Sequence, residues 1–425
     1  MRLVIISLDA AFAADSDFLL SLPNLGNLAR EGVFCSQVKT VYPTLTYPIH
    51  TSLLTGCYPD RHGIGHNGPF NPDLKPGRRP WYWDEKHIRA DTLFSQASRA
   101  GRECAAILWP VTGHSRHIRW NFPEVLALPG ENQALKVLGY GSTGWLMMNE
   151  LRYGRKRKST GQPDLDDYAV LVAETLINRQ YAPEERLGRA RDIQPSRRSQ
   201  ARHMPDLLAL HLVDLDAMRH RHGVFSEEAR AALTRLDARV GRIVTALKAR
   251  EAMKDTILAV VSDHGQADIS GTLPLDAWLR ANSIPARAQT LGFGAFIRFD
   301  RGDYRLVLKA LKDNMEQLRL MHVYTRDELR AIHAPEDVLL AVEPEEGIAV
   351  VEDENEQKAG ATHGFGLHHP GAQCLMWLYG GMFKQGERLS ACELVDIAPT
   401  LARASGLTLP MAQGRVLTEA FAQTV

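Results

Sequence analysis

Five short stretches of this chain are almost continuously apolar, and polar, helically spaced segments separate most of them. They cover residues 3–7, 104–109, 206–213, 256–262 and 374–379. Alternation would mark strands with one wet face; unbroken runs of branched residues mark parallel strands buried on both faces. The helical pattern is plainest over 226–250, where Ala229, Leu233, Leu236, Val240, Ile243 and Leu247 recur at helical spacing. Ser226 stands where it can cap that helix, and Glu227 and Glu228 suit its positive end. Strands alternating with helices predict an α/β fold, a large and mostly parallel sheet with helices on both faces.

Two stretches break this rhythm. Residues 126–203 read as a helical, polar insertion with twelve Arg or Lys between Arg152 and Arg202. Residues 271–357 carry their own helix and strand patterns, including runs at 295–299 and 347–351, and an acidic end from Glu343 to Glu356. They predict a small inserted α+β cap domain, which leaves 1–270 and 358–425 as the catalytic core. The basic stretch reads as a solvated helical face, because aromatic residues are sparse among its charges (Tyr153, Tyr168 and Tyr181) and do not form the interleaved stacking surface that single-stranded nucleic acid requires. It still offers long-range attraction to a polyanionic substrate.

Composition narrows the classes. The 425 residues are 44% apolar and 24% charged, the balance of an ordinary globular protein. Lys+Arg and Asp+Glu number 50 each, so no net charge draws the whole molecule to nucleic acid or an anionic membrane. The first apolar run is too short for a signal segment, and no later one approaches the roughly 20 residues of a membrane span. Five cysteines, odd in number, widely spaced and without a CxxC pair, argue against a disulfide framework or a cysteine zinc site. The expectation is a cytoplasmic enzyme with neither a membrane partner nor a stable nucleic-acid complex.

In open parallel sheets, ligands gather at the carboxyl edge of the strands. Asp9 follows the first run, Asp216 the third, and Asp263 with His264 the fourth, so three acids and a histidine meet at one predicted edge. Asp216 and His220 are four apart and share a face if helical, as two ligands of one cation do. His363 sits in Gly360-Ala361-Thr362-His363-Gly364-Phe365-Gly366, whose glycines let backbone approach a ligand closely. Carboxylate and imidazole donors suit zinc, with manganese or iron also compatible. Taken singly, each residue has an ordinary reading as a cap, a surface pair, a tight turn or a loop residue. Their convergence on one edge sets those readings aside.

The segment from Tyr42 to Ile64 adds Thr46-Tyr47-Pro48, then Thr55-Gly56, Pro59 and His62-Gly63. Here the chain resembles the nucleotide pyrophosphatase/phosphodiesterase branch of the alkaline-phosphatase superfamily. The resemblance runs through Asp9, Asp216 with His220, Asp263-His264-Gly265, His363-Gly364 and Val395-Asp396-Ile397-Ala398-Pro399-Thr400-Leu401. It implies an alkaline-phosphatase-like core and two divalent metal ions, zinc by preference. One ion would be held by Asp216, His220 and His363, the other by Asp9, Asp263, His264 and the oxygen of Thr46. Thr46 is implied as the nucleophile of a phosphodiesterase or nucleotide pyrophosphatase working through a covalent phospho-threonine. Asn67 matches the family's amide donor to a phosphate oxygen, and a neutral amide suits a diester. Tyr47 is placed to stack on a nucleobase or another leaving group, with ordinary packing as its other reading. Small-molecule phosphate esters, nucleotides or other diesters, are the implied substrates.

The chain also departs from the family. Ile49 replaces the asparagine found three positions after the nucleophile, so hydrogen bonding behind Thr46 must differ. Pro80-Trp81-Tyr82-Trp83 and Leu108-Trp109-Pro110 suggest an aromatic lining but read better as core. A phosphomonoesterase or phosphonate hydrolase on the same scaffold is the alternative, and an inactive metal-binding scaffold is the non-enzymatic one. A sulfatase is disfavoured, since no Cys- or Ser-x-Pro-x-Arg motif surrounds Thr46, and phosphoglycerate-mutase chemistry lacks its serine.

Overall fold

The computed structural model describes residues 1–75, 77–178, 204–352 and 359–422. Its centre is a nine-stranded sheet built on β1 (Arg2–Leu8), β2 (Val33–Lys39), β3 (Cys104–Ile107), β4 (Trp120–Phe122), β5 (Leu207–Leu212) and β6 (Thr256–Ser262), with Gln373–Tyr379 and two short edge strands. The spatial order runs Glu387–Arg388, β2, Gln373–Tyr379, β6, β1, β5, β3, β4, and Cys392–Glu393 also pairs with β2.

Every residue of β5 and β6 is buried, and so are six of the seven in β1. The side chains divide by the two-residue period of a strand. Val4, Ile6, Leu208, Leu210 and Val260 face one core, which helices Pro23–Glu31, Asp164–Ile177 and Glu227–Ala249 cover. Leu3, Ile5, Ala209, Ile257 and Val261 face the other, under helices Thr46–Thr55, Leu93–Arg99 and Ile397–Ser405. Burying a side chain of this size stabilises by about 2 kcal/mol relative to leaving it in water, which a doubly covered sheet collects on both faces.

One direction differs from expectation. The run at 374–379 forms a strand, but Gln373–Tyr379 is antiparallel to both β2 and β6. It lies between them with its central residues buried, so its pattern is unbroken whatever its direction. Continuity of an apolar run reports burial on two faces, not strand polarity. The helix read over 226–250 spans Glu227–Ala249, and the Ser226 hydroxyl accepts from the Ala229 N–H at 3.2 Å.

The 271–357 stretch builds its own antiparallel sheet, in the order Leu320–Tyr324, Leu340–Pro344, Ala295–Phe299, Ala286–Thr290. Helices Leu275–Ala281 and Tyr304–Asp313 contribute Leu275, Leu279, Val307 and Leu311 to a separate core. The strand read at 347–351 is Ile348–Val350, paired in parallel with Gly271–Leu273, so the two ends of the stretch meet. The acidic end divides: Glu343 is buried in a strand and accepts from the Tyr324 hydroxyl, while 353–358 lie outside the described residues. In the basic insertion, helices Gln133–Tyr140, Thr143–Tyr153 and Asp164–Ile177 are described, and 179–203 lie outside the described residues. The last of the three is far from polar throughout, burying Tyr168, Val172 and Leu176 against the sheet. All five cysteines are buried and unpaired. No helix among the described residues is long and apolar enough to cross a membrane.

Candidate dimetal active site

Strand register brings the acids together. Leu8 pairs with Leu212 on one side and Ser262 on the other, so the chain leaves β1, β5 and β6 at one level. Asp9 and Asp263 are the next residues of β1 and β6. The chain leaving β5 turns at Val213 into helix Asp214–His222, whose third residue is Asp216 and seventh is His220.

Two clusters result. Ligating atoms of Asp9, Asp263 and His264 lie within 4.8 Å of one another, and so do those of Asp216, His220 and His363. In the first, His264 Nε2 stands 3.2 Å from Asp263 Oδ2 and 3.7 Å from Asp9 Oδ1. In the second, His220 Nε2 stands 3.3 Å from Asp216 Oδ1. The rings of His264 and His363 stack at 4.0 Å and join the clusters into one centre. Six of the seven residues that the sequence assigned to the two ions, all but Thr46, are gathered in these clusters.

The site fits a pair of cations on three grounds. Asp9 Oδ1 and Asp263 Oδ2 are buried carboxylate oxygens with no hydrogen-bond partner, an arrangement that is costly unless a cation or donor compensates it. The histidines face acceptors with one ring nitrogen: His220 Nδ1 with Ala361 O at 2.8 Å, His363 Nδ1 with Thr44 O at 3.0 Å, and His264 Nδ1 with Gly265 O at 3.3 Å. A carbonyl can only accept, so each Nδ1 carries the proton and each Nε2 keeps its lone pair. Burial drives the pKa of His264 down to about 4 and that of His363 well down, keeping both rings neutral and able to ligate.

The carboxylates respond oppositely. Burial first, then the charges of Asp263 and Asp216, push Asp9 well up. Burial raises Asp263 to about 6. Burial also acts to raise Asp216, but His220, His363 and His264 outweigh it and hold that carboxyl below the usual range. Acids forced toward neutrality by one another are the groups whose ionised form a dication restores.

Thr46 begins helix Thr46–Thr55, and its Oγ1 stands 3.3 Å from His264 Nε2. The helix starts because Leu45 is extended before it, and ends at Gly56, which takes the left-handed conformation (φ 66°). Pro48 is tolerated at its third position, where no intrahelical N–H bond is lost. Asn67 accepts from the Tyr47 N–H through Oδ1 at 3.0 Å, which leaves its amide NH₂ as a donor beside the nucleophile. With the Tyr47 N–H so engaged and none on Pro48, the helix end acts on an anion mainly through its dipole.

Glycine serves the second cluster directly. Gly364 has φ 92°, and a Cβ there would lie 1.8 Å from Leu291 O. Gly360 has φ 82°, and a Cβ would lie 2.1 Å from His220 O. No side chain can occupy either place while His363 packs against His220.

Tyr47 is a correction. Expected to stack on a leaving group, it is fully buried, packs edge-on against Trp81 and donates its hydroxyl to Glu124 O at 3.2 Å. It joins Ile64, Trp83, Val111 and Val125 in a small core, the packing role that was its other reading. Trp109 is likewise fully buried. Ile49 lies in the sheet core, and its neighbour His50 bonds behind the nucleophile: Nδ1 donates to Thr46 O and Nε2 accepts from Ser7 Oγ, each at 2.9 Å. His62, of the His-Gly signature, is also fully buried, its Nε2 3.0 Å from Ser52 Oγ, so it braces the nucleophile helix.

Sequence reasoning missed three groups. His211, buried in β5, bonds Asp9 Oδ2 through Nε2 and Leu108 O through Nδ1, each at 3.0 Å. Burial opposes its charge, but Asp9 and Glu124 outweigh burial and raise its pKa well up. Both its nitrogens face acceptors, which places the proton shared with Asp9 on the imidazole. Gln266 donates to Asp216 Oδ1 at 2.5 Å. Asp166, from the insertion, reaches the start of the ligand helix. A histidine inside an otherwise apolar strand was the signal for His211, since buried polar groups need a partner.

This fold is that of the alkaline-phosphatase superfamily. The chain belongs to the type I phosphodiesterase/nucleotide pyrophosphatase family, whose model matches residues 3–366. It is therefore a hydrolase of phosphodiester or pyrophosphate bonds, from a metal-dependent family. Bis(5'-adenosyl)-triphosphatase ENPP4 of Bos taurus is 23% identical over 423 residues, covering 96% of this chain and 78% of that protein. Human ectonucleotide pyrophosphatase/phosphodiesterase family member 1 is 24% identical over 252 residues, covering 57% of this chain and 21% of that longer protein. Human ectonucleotide pyrophosphatase/phosphodiesterase 5 superposes with a TM-score of 0.73 at 18% identity, with all of both chains covered. The murine protein, an inactive variant in complex with AMP, gives 0.72 at 18% identity, covering 99% of this chain and all of that one.

Proposed function

We propose that this chain hydrolyses phosphate diesters, nucleotide diesters among them, through a covalent phospho-threonine at Thr46, with two divalent cations, zinc by donor set. The carrying observation is the Thr46 hydroxyl at 3.3 Å from His264 Nε2, beside the paired clusters. Asp216, His220 and His363 would hold one ion; Asp9, Asp263, His264 and the Thr46 oxygen the other. When bound, the ions supply a lowered pKa at the Thr46 hydroxyl and neutralise charge on the phosphoryl oxygens.

The protein's own groups account for the rest. The Thr46 oxygen attacks phosphorus, the P–O bond to the leaving alcohol or phosphate breaks, and the phosphoryl group rests on Thr46 until water displaces it. The Asn67 amide donates to a non-bridging oxygen, and its single dipole matches the one negative charge of a diester better than the two of a monoester. His50 and His211 hold the Thr46 backbone and Asp9 in place, so the nucleophile and the acid beside it move little between steps.

Turnover of bis-p-nitrophenyl phosphate and p-nitrophenyl phosphate on zinc-loaded protein tests this reading. Diester turnover should exceed monoester turnover, and monoester hydrolysis faster by orders of magnitude would overturn it in favour of a phosphomonoesterase.

A further inference from the structure

Helix Asp214–His222 carries two of the six ligands yet has no capping side chain of its own, since Val213 stands at its N-cap. Its first donors are nevertheless satisfied. Asp166 Oδ1 accepts from the Val213 N–H at 3.1 Å and Asp166 Oδ2 from the Asp214 N–H at 3.0 Å. Asp166 lies in helix Asp164–Ile177, inside the stretch that interrupts the sheet pattern.

The cap is itself locked. Gln162 Nε2 donates to Asp166 Oδ1 at 2.7 Å. Arg239 Nη1 reaches Asp214 Oδ2 at 2.7 Å and Asp166 Oδ2 at 3.4 Å, and its Nη2 donates to Pro163 O at 2.9 Å. Arg235 grips Asp214 through Nε at 2.7 Å and Nη2 at 3.0 Å. Asp166 and Asp214 are fully buried and Arg239 nearly so. Buried charges of this kind are tolerated only when each oxygen finds a partner, and here all four carboxylate oxygens do.

We propose that Asp166 is a positioning residue for the Asp216–His220–His363 cluster, through which helix Asp164–Ile177 caps the ligand helix. Asp216 lies two residues past the capped N–H of Asp214, in the turn that frays first when a cap is lost. Movement there displaces its carboxylate relative to His220 and His363. Asp9, Asp263 and His264 stand at strand ends held by the sheet ladder and need no such clamp. The effect is therefore confined to one cluster. This inference rests on the metal reading above.

The fold contains a matched control. Asp237, also buried, caps helix Pro23–Glu31 in the same way, accepting from the Asn24 N–H at 3.1 Å and the Leu25 N–H at 2.7 Å. That helix carries no site residue.

Metal-free wild type, Asp166→Asn and Asp237→Asn are titrated with zinc against a chromophoric chelator, well below their melting temperatures. Asp166→Asn should lose about 10- to 100-fold in affinity at one site and keep the other within about 2-fold, the range seen when an outer partner of a ligand is removed. Asp237→Asn should bind as wild type although it too melts lower. In a His220→Ala background, Asp166→Asn should change nothing further. Equal affinities in Asp166→Asn and wild type, or equal loss at both sites, would overturn the proposal alone. Wild type that binds no zinc would overturn the metal reading and this inference with it. If Asp166→Asn does not fold, Gln162→Ala should weaken the same site by about 3- to 5-fold, the worth of one hydrogen bond, and an unchanged site would overturn the proposal.

Discussion

The imidazole of His264 lies stacked on that of His363, ring centroids 4.0 Å apart and planes inclined by 25°. One ring belongs to each ligand cluster, so the two clusters share a wall. His363 is also the one ligand of its cluster that helix Asp214–His222 does not carry.

Replacing His363 should therefore separate the two positions. In His363→Ala, bound zinc should fall from two ions per chain to one, and diester turnover by at least about 100-fold, because an in-line displacement loses one of its two clamps. Metal analysis by mass spectrometry with turnover checks this; two tightly bound ions would show that His363 is not a ligand.

Asp263 gives a pH signature in the metal-free protein. Burial holds its carboxyl up to about 6 in the fold, against 3.8 for an ordinary aspartate. Between these values the folded state holds a proton that the unfolded state has released, so this group's contribution to stability falls as pH rises from about 4 to 6. Asp263→Asn keeps an acceptor for the Ala10 and His264 N–H groups while removing the charge. It should melt higher than wild type at pH 7 without metal, by a margin of roughly 3 kcal/mol, with the difference vanishing toward pH 4. With zinc present the order should reverse. Thermal melts at both pH values, with and without a chelator, read this directly, and a metal-free variant less stable at pH 7 would contradict it.

Asn67 separates donation from scaffolding. Asn67→Asp retains an acceptor for the Tyr47 N–H but replaces the amide donor with a charge that repels phosphate. Asn67→Ala loses both roles. Diester kcat should fall by about 100-fold in Asn67→Ala, the scale of one lost transition-state donor, and further in Asn67→Asp. If Asn67→Asp retained more activity than Asn67→Ala, the residue would serve chiefly to hold the Tyr47 backbone.

What could be read from the chain follows from the range of the forces involved. Thr256–Ser262 is recognisable because a doubly buried strand must be apolar throughout, and Asp9 and Asp263 because they are the first polar residues past such runs. β2 escaped notice because only part of it is buried, and Ser36 and Gln37 interrupt its apolar character. The direction of Gln373–Tyr379 is set by its neighbours, and no local pattern records it. Asp166 and His211 act through contacts that span 47 to 202 residues, which spacing rules for helices and strands do not reach. Tyr47 misled for a related reason: its motif fixed its place next to Thr46, while the packing of Trp81 and Trp83 decided that its ring would be covered.

The central claim is that the Thr46 oxygen is the nucleophile, and turnover of bis-p-nitrophenyl phosphate by zinc-loaded Thr46→Ala tests it most directly. The six carboxylate and imidazole ligands remain in this variant, so the folded protein should still bind zinc while turnover falls on the order of 10⁴-fold, the scale of a lost covalent route. Turnover equal to wild type would contradict the account.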